Sequence, residues 1–174
     1  MKRFLATLLL AIQVSLPAFG ADLSTKDAAA LTEVIDQCNA AFFRSDASGI
    51  ADVTADRLLQ AVGGRDKYVE SVQGGIKAAQ STGLKLVSHH GEPPTAPVKA
   101  DGFLIVIVKE TNVMEARGKQ FRSEGFTVAV RPAAGGRWKL IGGNGISQNP
   151  GIVAMLYPGF PADYKFPPYT TTPL

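Results

Sequence analysis

The stretch of sequence that decides the fold is residues 103–131, FLIVIVKETNVMEARGKQFRSEGFTVAVR. It opens with six consecutive apolar residues, four of them β-branched, which is typical of a central strand covered on both faces. Arg117, Gly118 and Lys119 then have the composition of a tight turn, and residues 121–131 read as a second strand. The stretch therefore predicts a long antiparallel hairpin.

Further strands are predicted on both sides of this hairpin. Residues 84–90, LKLVSHH, have the period of a strand, and the proline-rich residues 91–99 read as a loop. After the hairpin, a turn over residues 132–136 leads into a predicted last strand over residues 137–146. The long strands thus follow one another through tight turns and predict an antiparallel meander.

A long amphipathic helix is predicted ahead of the strands, over residues 24–45. Ser24 and Asp27 have the spacing of an N-terminal cap, in which the hydroxyl accepts a free backbone N–H. Apolar residues then recur at spacings of three and four and predict one buried stripe: Ala28, Leu31, Ile35, Cys38 and Phe42. Because Cys38 lies within this stripe, we expect a small buried side chain and not a reactive thiol.

Two shorter elements are predicted between this helix and the strands. Residues 58–62 alternate and favour a short strand that ends at Gly63 and Gly64. Residues 66–80 have a helical pattern, interrupted by Gly74 and Gly75. That glycine pair predicts a kink, a close packing contact or an early end of the helix.

The N-terminus has the three parts of a secretory signal peptide, predicted over residues 1–20. A basic start is followed by an apolar segment over residues 4–16, Pro17, and small residues before a cut at Ala21. The alternative is an uncleaved anchor or a buried N-terminal helix. Cleavage leaves one domain over residues 21–157 and a proline-rich tail over residues 158–174, with no further apolar run long enough for a membrane helix. We therefore expect a periplasmic or secreted protein.

Charge and cysteine content restrict the partners. Lys2 and Arg3 lie in the leader, so 16 of the 18 basic residues remain against 15 acidic ones, and the net charge falls from +3 to +1. There is no run of lysine or arginine, and nucleic acid is therefore not an expected partner. Cys38 is the only cysteine in the sequence, so the domain has no disulfide within the chain.

The order of elements resembles the NTF2-like (SnoaL/ketosteroid isomerase-like) superfamily. The resemblance covers residues 27–146 and rests on the long first helix, on Gly63 and Gly64 before a helix that opens with RDKY (residues 65–68), and on RWKLI (residues 137–141) after a glycine turn. It implies an α+β, cystatin-like fold, in which a curved antiparallel sheet forms a cone and the N-terminal helices pack on one face. The interior of such a cone holds a small ligand, and members include isomerases, dehydratases, cyclases and binding modules.

Three side chains are candidates for chemistry in such a cone. A carboxylate base and an oxyanion donor would be needed for isomerase chemistry, and Asp56 and Tyr68 are the residues available for these roles. His89 is a candidate general base or hydrogen-bond donor, with a strand-end surface position as the alternative. Since His89 and His90 are adjacent on a predicted strand, at most one of them faces a pocket. Tyr68 is also a candidate ligand-binding residue, with a packed tyrosine as the alternative.

Two further ligand-binding candidates lie on the later strands. Arg122 could read an anionic ligand at the cone mouth. The alternative is that Glu110, Glu115, Arg122 and Glu124 form cross-strand ion pairs or a solvated sheet face. Trp138 is the only tryptophan, and we expect it to anchor the core or to line the cone.

The sequence has no HxxH, HExxH or CxxC motif, and we predict no metal site and no cofactor. The preferred hypothesis is an exported module that binds a small apolar or anionic ligand without catalysis and that forms a homodimer through an open sheet face. The alternative is a small isomerase or lyase with a His or Asp base. A third hypothesis is a periplasmic subunit whose proline-rich tail docks on a larger assembly.

Overall fold

A computed structural model describes residues 23–174 of the protein, and the predicted leader lies outside these residues. The described chain forms six helices and six strands. The helices are α1 (Thr25–Phe43), α2 (Ala47–Val53), α3 (Asp56–Ala61), α4 (Arg65–Ser81), α5 (Gly143–Gln148) and α6 (Ile152–Leu156). The strands are β1 (Lys85–Gly91), β2 (Val98–Ala100), β3 (Phe103–Ala116), β4 (Lys119–Pro132), β5 (Lys139–Gly142) and β6 (Thr170–Pro173).

The first helix forms as predicted and is capped as predicted. The backbone N–H of Asp27 donates to Ser24 Oγ at 3.1 Å, which satisfies one of the free donors of the first turn. The buried stripe differs from the expected one at its end, because Ala41 is buried and Phe42 is 42% exposed. The chain turns after α1 so that α2 packs against the small Ala41 side chain, and this turn leaves Phe42 at the surface.

The short strand predicted over residues 58–62 is wrong, because residues 47–61 form two short helices. Asp46 caps α2, its Oδ1 accepting from the backbone N–H of Gly49 at 2.8 Å. Leu58 packs from α3 against the core. Apolar and polar residues that alternate over only five positions fit a single helical turn as well as a strand.

The second predicted helix corresponds to α4, which runs through both glycines of its interior. An added Cβ at Gly74 or Gly75 would meet no atom within 4 Å, so no close packing contact explains the pair. The helix also does not end early, since it continues to Ser81 with Ile76 buried on its inner side.

The six strands form one antiparallel sheet built on the predicted hairpin. β3 and β4 pair along their whole length, and Arg117 and Gly118 turn the chain with φ of 53° and 73°. β1 and β2 pair with the outer edge of β3, while β5 and β6 pair with the outer edge of β4. The meander of long strands is confirmed, with β2 and β6 as additions that the sequence does not predict.

The predicted last strand is too long, because it ends at Gly142 and residues 143–148 form α5. At Gly143 the chain passes so close to β4 that an added Cβ would collide with the carbonyl oxygen of Phe126. This close approach diverts the chain away from the edge of β4, so residues 143–146 leave the sheet.

Each face of the sheet is covered by a different part of the chain. The face that we call the helix face packs against α1, whose Leu31, Val34 and Ile35 contact Val106, Val108 and their neighbours on β4 and β5. The opposite face, which we call the tail face, packs against α5, α6 and the segment after them. The fold is therefore α+β, with N-terminal helices on one face of a six-stranded antiparallel sheet.

The proline-rich C-terminal segment packs on the domain. Phe160 is buried, and the ring of Phe166 stacks on Phe126 with centroids 5.2 Å apart. The last residues then pair with β4 as β6. The chain's own C-terminus thus occupies part of the sheet face that we expected to be open. No helix of the described residues is long and apolar enough to cross a membrane.

Candidate functional site

Polar side chains replace apolar ones on the helix face toward the C-terminal end of β3. Along β3 the residues of this face are apolar up to Val108, and the next two are Glu110 and Asn112. The neighbouring strands add two polar residues to this group, because Asn112 pairs with His89 on β1 and with Ser123 on β4. We call His89, Glu110, Asn112 and Ser123 the polar patch.

Glycines flank Glu110 on both neighbouring strands. Glu110 pairs with Gly91 on β1 and with Gly125 on β4. An added Cβ at Gly91 would meet only Val108 Cγ1, at 3.6 Å, whereas an added Cβ at Gly125 would collide with the ring of Tyr169. The Glu110 side chain therefore stands between an open hollow on the β1 side and an aromatic ring on the β4 side.

The electrostatic setting of Glu110 is that of a partly desolvated acid. Burial raises the pKa of the Glu110 carboxyl above its usual range, while the Thr127 hydroxyl and the nearby His89 act in the opposite direction. No ion pair found among residues 23–174 joins Glu110 to a lysine or an arginine. A carboxyl in this environment can serve as a hydrogen-bonding or acid–base group for a bound molecule.

His89 is half-buried on the same face, and its orientation is set by a neighbour. Its Nδ1 donates to Asn112 Oδ1 at 2.9 Å, since an amide oxygen can only accept. In the neutral imidazole this bond leaves Nε2 as the acceptor. The adjacent His90 is exposed and lines the same cleft beside α1 as His89, although the alternation predicts that at most one of the two faces a pocket.

A cleft of about 350 Å³ lies beside the polar patch, between α1 and the end of β1. Ile35 and Val108 give it apolar walls, and His89 and Gly91 belong to its lining. A cleft of this size with apolar walls and a few polar groups is typical of a site for a small molecule.

Cys38 lies on α1 close enough to Glu110 to be affected by its charge, whereas Tyr68 on α4 is close to Cys38 and not to the polar patch's charged groups. The Tyr68 hydroxyl is 3.2 Å from Thr54 Oγ1 in a hydrogen bond, and burial raises the pKa of the Tyr68 phenol. Burial, together with the charge of Glu110, raises the pKa of the Cys38 thiol to about 11. This environment keeps the thiol protonated, in agreement with the predicted unreactive role of Cys38.

The structure does not bring Asp56 together with Tyr68 and His89. Asp56 begins α3, its side chain is 75% exposed, and its carboxylate lies 3.8 Å from Lys139 Nζ. It lines a different cleft, of about 280 Å³, together with Arg57 and Tyr157. The carboxylate near His89 is therefore Glu110.

Arg122 and Trp138 also lie away from the polar patch. Arg122 is exposed on the tail face opposite Val113, so the strand register does not pair it with Glu110. Trp138 is 2% exposed and anchors the core, its Nε1 donating to the Asp27 carbonyl oxygen at 3.1 Å. With so little exposure, its ring has no free face on which a ligand could stack.

Sequence reasoning singled out His89 but missed the role of its surroundings. Glu110 was expected in an ion pair or on a solvated face, although it lies two residues beyond a run that the sequence predicts to be buried. That spacing places it on the same face as Val106 and Val108. Asn112 follows by the same spacing, whereas nothing near Tyr169 in the sequence indicates its position beside Glu110.

The described residues, 23–174, contain no group of three or more His, Cys, Asp and Glu side chains that could hold a metal ion. No protein-family model matches the chain, and no functionally curated protein matches it at a significant level. The case for function therefore rests on the geometry of the polar patch and its cleft.

Proposed function

We propose that this protein is an exported module with an NTF2-like fold that binds a small organic molecule at the polar patch, without catalysing a reaction. The fold supports the proposal because an antiparallel sheet carries N-terminal helices on one face, as in the cone of that superfamily. The predicted signal peptide supports export to the periplasm or beyond.

The observation that carries the proposal is the convergence of polar groups beside an apolar cleft. A polar group that faces the interior of a fold costs free energy unless it is paired. Here the four side chains of the polar patch lie in two neighbouring sets of residues paired across β1, β3 and β4, and Gly91 leaves space next to them. Such an arrangement fits a small ligand that has both apolar and polar groups.

Nuclear magnetic resonance of the ¹⁵N-labelled protein with a library of small organic fragments tests this proposal. We expect bound fragments to shift the amide signals of Gly91, Asn112 and Gly125. The variant Gly91→Val fills the hollow and should weaken binding at least about tenfold. Gly74→Ala, on the exposed side of α4, is the matched control and should leave binding unchanged.

Two results would contradict the proposed site. The first is a screen in which no fragment shifts the signals of the polar patch. The second is a set of fragments that binds only in the cleft around Arg57 and Tyr157. In the latter case the protein would still bind small molecules, but at the other cleft.

The alternative function, a small isomerase or lyase, is favoured by one observation. His89 presents Nε2 as an acceptor, because Asn112 holds the proton on Nδ1, and this is the state that a general base needs. Incubation with carbonyl compounds that bear acidic C–H bonds in D₂O tests the idea. Deuterium incorporation should be lost in His89→Ala and kept in Asp56→Asn, since Asp56 lines a different cleft; no incorporation by the wild type at any such compound would contradict it.

Homodimer formation through the sheet is a separate proposal. The C-terminal segment covers the tail face beside Phe126, so the area left for a second copy is the end of the sheet around Val113 and Arg122. Sedimentation velocity would detect a dimer, and Val113→Lys should dissociate it if this end of the sheet is the interface. A sedimentation coefficient that does not change with protein concentration and fits a monomer would contradict the proposal.

A further inference from the structure

The C-terminal segment brings an aromatic ring to the carboxyl group of the polar patch. Gly125 lies directly opposite Glu110 in the strand register, so the Cβ positions of the two residues share the helix face. The ring of Tyr169 occupies the space where a side chain at position 125 would stand. The phenol ring therefore lies next to Glu110 although 59 residues separate them in sequence.

The path of the chain explains how Tyr169 reaches the helix face. Phe166 stacks on Phe126 on the tail face, and Thr170 begins β6 opposite Glu124. Between these two residues the chain passes the edge of β4, where β5 has ended and β6 has not begun. The position of Tyr169 is thus fixed by its neighbours in sequence: Phe166, which stacks on Phe126, precedes it, and the paired strand β6 follows it.

The carboxyl group beside this ring forms no ion pair with a lysine or an arginine of residues 23–174. Glu110 is half-buried, and the ion pairs found in residues 23–174 connect other carboxylates to lysine and arginine. Tyr169 is 44% exposed, so its ring remains accessible to a molecule in the site. A carboxylate beside an accessible aromatic ring offers two attractions to the same cation, one through its charge and one through the face of the ring.

We propose that Glu110 and Tyr169 together bind the charged end of an organic ammonium compound, with the C-terminal segment as an integral part of the ligand site. This inference rests on the proposed small-molecule binding at the polar patch and specifies its ligand class. The apolar walls of the adjacent cleft, formed by Ile35 and Val108, accommodate the hydrocarbon part of such a ligand. Burial raises the pKa of Glu110, because it makes the ionised carboxyl less favourable. The positive charge of a bound ligand offsets this cost.

Titration calorimetry with two matched probes tests the proposal. Benzylammonium chloride carries the positive charge, and benzyl alcohol has the same ring and nearly the same size without the charge. We expect benzylammonium to bind at least about tenfold more tightly than benzyl alcohol. Equal or tighter binding of benzyl alcohol would overturn the proposal.

Substitutions assign the binding to the two residues. Glu110→Gln should weaken benzylammonium binding at least about tenfold, because it removes the charge and keeps the shape. Tyr169→Leu should weaken it by about two- to fivefold, whereas Tyr169→Phe should retain it because the ring remains. Glu115→Gln is the matched control, since Glu115 lies on the same strand with its side chain on the opposite face. An effect of Glu115→Gln as large as that of Glu110→Gln would overturn the assignment.

The proton balance of binding gives a readout that does not depend on any variant. A bound cation lowers the pKa of Glu110, so binding near that pKa releases protons into the buffer. Calorimetry at a series of pH values, in buffers of different ionisation enthalpy, measures their number. Proton release supports the proposal, and proton uptake would show instead that Glu110 becomes protonated on binding and carries no charge opposite the ammonium, which overturns it.

The failures of the two proposals can be told apart. If neutral fragments bind at Gly91 and Asn112 while benzylammonium does not, the ligand class is wrong and the binding function stands. If neither benzylammonium nor any fragment shifts the signals of the polar patch, both proposals fail. Circular dichroism spectra and unfolding curves establish that each variant folds, and the proton count decides the matter if Glu110→Gln does not fold.

Discussion

At the scale of single residues, the glycine at position 125 sets the position of the C-terminal segment. Its missing side chain lets the ring of Tyr169 lie directly on the backbone of β4. We predict that Gly125→Ala destabilises the protein by about 1–3 kcal/mol, since the new methyl group and the ring cannot occupy one space. Chemical unfolding in urea measures the change.

A double substitution shows whether the ring is the cause. Gly125→Ala in a Tyr169→Ala background should cost little, because the colliding ring is absent. Gly74→Ala is the control for an added methyl group in open space, and it should stabilise the helix by up to about 1 kcal/mol. Equal losses from Gly125→Ala in both backgrounds would contradict the proposed contact.

The residues of the candidate site differ in how far sequence predicts them. The turn at Arg117 and Gly118 fixes the register of the hairpin, so the pairing of Glu110 with Gly125 can be counted from the sequence. For Trp138 the sequence left a core anchor and a ligand-binding residue of the cone as alternatives, and the side chain lies in the core. The position of Tyr169 depends on a strand pairing between distant parts of the chain, and no local pattern in its sequence encodes that pairing.

At the scale of elements, one ion pair fastens the start of α1 to the sheet. Asp27 Oδ2 lies 2.8 Å from Arg131 Nη2, and the two side chains are 28% and 12% exposed. The guanidinium carbon of Arg131 also lies 5.1 Å from the centroid of the Trp138 ring. We predict that Asp27→Asn costs about 2 kcal/mol, because it leaves a largely buried guanidinium without its counter-charge. Thermal unfolding at neutral pH measures the loss.

An exposed ion pair provides the comparison for Asp27. Lys109 and Glu92 are 3.7 Å apart with both side chains more than half exposed, so Glu92→Gln should change the free energy of unfolding by less than about 0.5 kcal/mol. Were Asp27→Asn no more costly than Glu92→Gln, the fastening role of the Asp27–Arg131 pair would be refuted.

The C-terminal segment allows a second prediction at this scale. Truncation after Gly159 removes the buried Phe160 and the aromatic rings packed with it, and we expect a loss of at least about 3–5 kcal/mol. Truncation after Tyr169 removes only the exposed β6 and should cost less, while exposing the edge of β4 to association with other chains. Unfolding curves and light scattering distinguish the two effects.

This expectation changes the test of the docking hypothesis. A truncation after Gly159 that abolished capture of a partner would be explained by loss of this domain's own core. Nearly equal stabilities of the two truncated proteins would contradict the contribution of Phe160 and its neighbours. Only the shorter truncation, after Tyr169, tests whether the last strand contacts a partner.

Long elements were predictable from the sequence and short ones were not. The helix α1 and the strands β3 and β4 carry many repeats of their period, and each was predicted within a few residues of its bounds. The helices α2, α3 and α5 have at most two turns each, and their patterns also fit strands or loops. The Asp46 cap of α2 and the close approach of Gly143 to Phe126 before α5 depend on the folded chain, and a local sequence pattern does not show them.

At the scale of the whole molecule, alkaline pH should weaken the fold. Burial raises the pKa of the Cys38 thiol from 9.0 to about 11 and that of the Tyr157 phenol from 10.0 to about 12. In both groups the folded state favours the protonated form, so this stabilisation is complete below pH 9 and is lost as the pH rises toward 12. Urea unfolding at a series of pH values should show a falling free energy of unfolding in this window.

Single substitutions divide this loss between the two groups. Cys38→Ala should remove the part of the pH dependence that begins near pH 9, and Tyr157→Phe should reduce the part that begins near pH 10, to which Tyr68 and Tyr169 also contribute. A free energy of unfolding that stays constant from pH 8 to pH 11 in the wild type would contradict the burial of these two groups.

The architecture was predictable as α+β with helices on one face, but the part of the chain that covers the second face was not. The apolar run at residues 103–108 signals a strand buried on both faces, which already requires a second layer. The proline-rich composition of residues 158–174 gave no indication that they supply part of it. Such segments have no period, so only the aromatic residues among them, Phe160, Tyr164 and Phe166, indicate burial.

The strand pairing of β6 also has a consequence for the order in which the protein is made. Synthesis proceeds from the N-terminus, so β4 is complete long before residues 160–173 leave the ribosome. Until then Phe126 lacks its stacked ring and the edge of β4 beside Gly125 lacks its partner strand. A nascent chain of this protein therefore presents an apolar patch and an unpaired strand edge, the features that chaperones recognise, until its last residues arrive.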